Sequence, residues 1–148
     1  MRPTHVVVEF CSEKVAARAQ LLWNRAPQIC QAIVDAAPMV LRCHHAIYSG
    51  SEIAAMTPQL PQMPPASPTS DVTVGDLAYT YLFAADHYGV ESDFSEICWF
   101  YDIDARPSMF TGPAEVSVFA KFEDAQEFFG VSRLMRVEGA KDLRVTLP

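Results

Sequence analysis

Hydrophobic and polar positions alternate along much of this chain, and the alternation predicts strands. From Thr4 to Phe10, Val6, Val8 and Phe10 fall on one face, the pattern of a strand with one buried side. Val40 to Tyr48 reads the same way, with Leu41, Cys43, His45 and Ile47 on one face and Arg42, His44 and Ala46 on the other. Gly50 then turns the chain into a short segment, Glu52 to Met56. Val72 to Val74, a Gly75-Asp76 turn and Leu77 to Phe83 follow, and Leu77, Tyr79, Tyr81 and Phe83 make one bulky face. Ile97 to Tyr101 is apolar with little alternation, as expected where both faces are covered. Glu115 to Phe122 alternates, predicting Val116, Val118, Ala120 and Phe122 inward. After Gly139 a last strand places Leu143, Val145 and Leu147 together.

Two segments carry helical spacing instead. Asn24-Arg25-Ala26-Pro27 opens a helix, since Asn can cap and Pro suits the first turn. Its stripe is Ile29, Cys30, Ile33, Val34 and Ala37, and Pro38 ends it. Glu123-Asp124 starts a second helix, where acids favour the positive end, packed by Phe128, Val131, Leu134 and Met135. Ser12 to Leu22, rich in Ala, Arg and Gln, reads as either an irregular hairpin or a helical turn. Residues 57–70 hold five prolines and predict a long, stiff surface loop within one domain. Ala84 to Ser95 and Asp102 to Gly112 read as connections. About seven or eight short strands with two helices favour a closed, mostly antiparallel barrel whose open ends the helices plug.

Length and charge narrow the partners. A chain of 148 residues is expected to form a single domain over 1–148. A net charge of −7 with scattered Lys and Arg excludes the basic face that nucleic acid or an anionic membrane requires. The N-terminal apolar run is too short for a signal peptide, and no stretch approaches the ~20 apolar residues of a membrane helix, so a cytoplasmic protein is expected. Cys11, Cys30, Cys43 and Cys98 are widely spaced and read as free thiols.

The order of several short motifs resembles a small bacterial and archaeal family of unknown function with a cyclophilin-like barrel. The matching pieces are Ala26-Pro27, His45-Ala46 with Tyr48, Glu52, Gly75-Asp76 with Tyr79, Phe100-Tyr101 and Val118-Phe119-Ala120. The resemblance spans nearly the whole chain, and order and spacing carry it. It implies the mainly β, closed antiparallel cyclophilin-like barrel with two helices. The family's acid-Asn-Pro-Thr run is here Ser67-Pro68-Thr69-Ser70-Asp71. Its Gly after Phe-Tyr is Asp102, and Ser117 and Ala120 replace the Asn and Gly of its Asn-Val-Phe-Gly. Ligand contacts are therefore not carried over from that region. True cyclophilin isomerases resemble one another through a Phe-His-Arg strand and a Phe-x-x-Gln-Gly-Gly-Asp stretch; neither is present, so prolyl isomerisation is not expected. Related domains in oxoprolinase and allophanate hydrolase offer only an analogy of fold.

The candidate chemistry centres on His45 and Glu52, seven residues apart on successive strands. His45 would be the general acid/base, Glu52 its orienting carboxylate and Tyr101 a hydrogen-bond donor to substrate. The competing readings are a core histidine and an exposed edge carboxylate. Tyr79, Tyr81, Trp99 and Arg106 are candidate ligand-binding residues, against the alternatives of core aromatics and a solvated arginine. Cys43 and His45 share a face, but two ligands are too few for a metal; His87 and Asp86 would have to complete the site, and no metal is expected. No cofactor motif, nucleophile elbow or phosphate-binding glycine loop is present. The expected function is binding of a small-molecule ligand, with a hydrolase or lyase acting on a small polar metabolite as its catalytic form. The rival is a non-catalytic subunit or homo-oligomeric interaction domain.

Overall fold

The computed structural model describes residues 2–86 and 90–148. The strands are β1 (His5–Phe10), β2 (Val15–Leu21), β3 (Met39–His45), β4 (Glu52–Met56), β5 (Asp76–Leu82), β6 (Phe94–Phe100), β7 (Ser108–Met109), β8 (Gly112–Pro113), β9 (Ser117–Glu123) and β10 (Lys141–Thr146). Helix α1 spans Pro27–Ala36 and α2 spans Gln126–Glu138. β7 and β8 pair only with each other. The other eight strands close into an antiparallel barrel in the order β1-β10-β3-β4-β6-β5-β9-β2. No helix among the described residues is long and apolar enough to cross a membrane.

Aromatic rings fill the interior. Phe10 lies 4.6 Å from Phe128 and 6.1 Å from Trp99, and Trp99 lies 5.3 Å from Phe128, centroid to centroid. Helix α2 contributes Phe128, Ser132 and Met135, and α1 contributes Ile29, Cys30 and Ile33. The barrel is thus a packed core. Ala54, Ala78, Cys98, Phe100, Val116 and Val118 form a separate, smaller apolar cluster.

Several boundaries differ from the sequence expectation, each for a local reason. The Ser12–Leu22 segment contains strand β2, whose Ala17, Ala19 and Leu21 face inward. Alanine is too small to announce a buried face by hydropathy. β3 ends at His45, because Ala46 N–H donates to the Glu52 carbonyl at 2.9 Å and the chain turns; Ile47 is left 84% exposed. Glu123 ends β9 and Asp124 takes a left-handed φ of 46°, so α2 starts at Gln126, and its Leu134 faces solvent. The Asp102–Gly112 loop enters the β7–β8 hairpin. Residues 57–70 do more than cross the surface: Leu60 and Met63 enter the main core. Tyr79 Oη fixes that segment by donating to the Pro61 carbonyl (3.0 Å) and accepting the Met63 N–H (3.1 Å).

β9 does not keep one inward face. Leu77 pairs with Ala120 and Ala78 with Val118, which leaves Phe119 as an inserted residue. This bulge reverses the alternation, so Val116 and Val118 join the smaller cluster while Phe119, Ala120 and Phe122 join the main core.

Candidate functional site

The β3–β4 connection is held down at several points. Tyr101 N–H donates to the Ser51 carbonyl (3.0 Å) and Arg106 N–H to the Ser49 carbonyl (2.9 Å). Ser49 Oγ donates to the Ser108 carbonyl (3.1 Å) and accepts the Ser108 N–H (2.9 Å). Gly50 has φ +70°, and a Cβ there would stand 2.6 Å from the Asp104 carbonyl oxygen. Only glycine fits this left-handed, closely approached position.

This anchored connection walls a surface cleft of about 190 Å³ on the outside of the barrel. His44, Glu52, Ala54 and Glu96 project from β3, β4 and β6, and Ser49 and Ser108 stand beside them. Ile47, Tyr48, Leu82, Val90, Phe94 and Met109 make the apolar walls. Among the described lining residues there is no Lys or Arg. Ala54, the small residue of the lining, pairs with Cys98 on β6, which lies buried beneath.

Two carboxyls share this depression. Glu52 is only 5% exposed, and Glu96 is partly exposed. Burial raises the pKa of Glu52, opposed by hydrogen bonds from Ser49 and the Cys98 thiol. Burial and then the charge of Glu52 push Glu96 up to about 8. Burial and both carboxylates keep the Cys98 thiol protonated. The pair can therefore hold a proton at neutral pH, an arrangement suited to acid and base work from neighbouring carboxyls.

His45, the last residue of β3, projects from the other face of the sheet and still borders the cleft. Its ring donates through Nδ1–H to the Ala46 carbonyl (2.8 Å) and meets Tyr101 Oη at Nε2 (2.7 Å). Burial lowers its pKa, with the Arg136 charge acting in the same direction and the Ala46 bond opposing. The imidazole is thus neutral, and Nε2 accepts from the Tyr101 hydroxyl. The structure brings His45 and Tyr101 into hydrogen-bond contact, and His45 and Glu52 both line the cleft, while Tyr101 is not among its lining residues. His45 pairs with Ile53, so its neighbour Glu52 points the opposite way. Tyr101→Phe is expected to leave Nε2 without its donor and cost about 1–3 kcal/mol. Urea denaturation reads that loss. Nitrogen-15 NMR should find His45 as the neutral Nδ1–H tautomer at pH 7; an imidazolium signal there would contradict the assignment.

Of the remaining candidates, Tyr79 and Tyr81 line one cavity, and Trp99 and Arg106 do not. Trp99 is fully buried, with Nε1–H donating to Ser132 Oγ (3.1 Å). Tyr79 anchors the proline segment. Tyr81 is partly buried against Phe83 (5.0 Å) and lines a cavity of about 230 Å³ with Pro64, Pro65 and Pro68. Arg106 has an exposed side chain. Among the described residues no three His, Cys, Asp or Glu side chains group to hold a metal; His87 lies outside those residues.

Glu96, Cys98 and Ser49 were not singled out by sequence reasoning. A weak signal existed: Glu96 and Cys98 share one face of an apolar strand, as Glu52 and Ala54 do. Only the pairing of β4 with β6 brings the two acids to one place.

A family model described as a protein of unknown function (DUF3830) matches residues 8–147. No curated protein matches the chain in sequence. Among solved structures, the solution structure of the hypothetical protein AF2241 from Archaeoglobus fulgidus is similar at 20% identity and a TM-score of 0.64, covering 99% of this chain and 95% of that one. McbB, in a structure containing tryptophan, is similar at 12% identity and a TM-score of 0.70. That alignment covers 96% of this chain and 44% of McbB, so the chain spans less than half of that protein. At these identities the likeness is one of fold.

Proposed function

The chain belongs to the DUF3830 family of unknown function, and from the geometry of its outer cleft we propose that it is a small-molecule-binding protein whose ligand sits between Glu52 and Glu96. One observation carries this reading: a carboxyl as buried as Glu52 lines a surface cleft and has no cationic partner among the described residues. Burying such a group without a partner costs stability, and convergent polar groups in an apolar-walled cleft are the general form of a ligand site. McbB supports the reading at the level of fold, since its structure holds the small amphiphile tryptophan.

The cleft volume of about 190 Å³ limits the ligand. Ligand pockets commonly run ~300–1,000 Å³, so a compact metabolite of roughly ten to fifteen heavy atoms is the match. At about −0.3 to −0.4 kcal/mol per atom, affinity would lie near the millimolar range. The same carboxyl pair equips the site for hydrolase or lyase chemistry, with Glu96 as the protonated acid and Glu52 as the base.

A fragment screen by ¹H–¹⁵N NMR tests the proposal. Binders are expected to perturb the amides of residues 46–49, Glu52, Ala54, Glu96 and Ser108 together. Binders that perturb only the cavity beside Tyr81, or no fragment perturbing the cleft, would sink it.

A further inference from the structure

We infer that the ligand of this cleft is an organic cation: an ammonium or amidinium group carried on a small apolar body. The inference rests on the cleft being a ligand site and adds its chemical class.

The described lining presents two carboxyls and no Lys or Arg. Glu52, more than nine-tenths buried, forms no ion pair among the described residues. Its hydrogen-bond partners are Ser49, whose hydroxyl also bonds Ser108, and the Cys98 thiol. An ionised carboxylate accepts at about four lone-pair positions. Two partners leave some of these positions unfilled, and Glu52 and Glu96 both line the cleft. An ammonium brings three donors and an amidinium a planar fork, and either can bridge two carboxyls. An anion would meet two acids and, among the described residues, no Lys or Arg, and burial lowers the pKa of both cleft histidines, His44 and His45. A metal ion would find too few ligands among the described residues. Ile47, Tyr48, Leu82, Phe94 and Met109 require the rest of the molecule to be apolar.

A cation also changes the protonation of the site. The titratable groups facing it are Glu52, Glu96, His44, His45 and Tyr48, with Cys98 behind Glu52. The raised pKa of Glu96 keeps its proton on at neutral pH. A bound ammonium favours the ionised form, so binding releases a proton and tightens as pH rises toward 8.

The test compares phenethylamine, 2-phenylethanol and 3-phenylpropionate by titration calorimetry at pH 7.5 in phosphate and in Tris, with amide NMR to map each probe. The amine should bind at least tenfold tighter than the alcohol, the acid should not bind, and the apparent heat should differ between buffers. Glu52→Gln and Glu96→Gln, checked for folding by their NMR spectra, should each weaken the amine at least tenfold. If the alcohol or the acid maps to the cleft as tightly as the amine, the cation preference is overturned and the ligand site stands. If no probe perturbs the cleft, both fall.

Discussion

Trp99→Ala is expected to destabilise the protein by about 3–5 kcal/mol, the range for removing a large aromatic from a packed core. Trp99 is 0% exposed and its ring lies 6.1 Å from Phe10, 5.3 Å from Phe128 and 6.3 Å from Phe122. Truncation empties the centre of the barrel and strips Ser132 Oγ of the indole N–H. The strands around it are closed into a ring, so they relax little into the void. A fall in the melting temperature of about 10 °C follows at 2–4 °C per kcal/mol. Thermal and urea denaturation followed by circular dichroism would measure both. Trp99→Phe keeps most of the volume and should lose much less. A Trp99→Ala protein as stable as wild type would mean the indole does not occupy the core.

Glu96→Gln is expected to stabilise the protein at alkaline pH and leave it unchanged in acid. The folded state raises the Glu96 pKa from 4.5 to about 8. Between those values the unfolded chain has lost its proton and the folded chain has kept it. Stability therefore falls as pH rises through that window and levels off above it. Glu52, also raised, acts in the same direction. Glutamine does not titrate, so at pH 4 the two proteins should match. At pH 8.5 the variant should be more stable by about 1–3 kcal/mol, the full linkage value discounted because Glu96 is partly open to solvent. Urea midpoints at pH 4, 6 and 8.5 decide it; a difference that stays constant with pH would show that the carboxyl is not strained by its surroundings. A carboxyl that costs stability where it stands fits a site retained for binding.

Local pattern made much of the barrel legible. Val6, Val8 and Phe10, or Leu143 and Val145, declare an inward face by their own alternation, and Pro27 marks the first turn of α1. What stayed hidden depends on contacts distant in sequence. The alanines of β2 are buried because α2 lies over them. The reversal within β9 arises from a bulge opposite β5, which hydropathy alone cannot register. The site follows the same division. His45 and Glu52 are seven residues apart, but a turn of six residues between paired neighbours puts them on opposite faces of the sheet. Glu52 meets Glu96, forty-four positions further on, only because β4 and β6 are adjacent while β5 lies on the far side of β6.

Closure of the ring has a consequence for self-association. Each of the eight barrel strands is paired along both sides, so the barrel offers no free edge onto which another chain could add a strand. The separate β7–β8 hairpin has two residues in each strand, too few to serve as a template. A second copy would have to dock through side chains, or the ring would have to open. Its affinity would then respond to single surface substitutions that leave the barrel intact, and a persistent strand-exchanged dimer would report a broken ring.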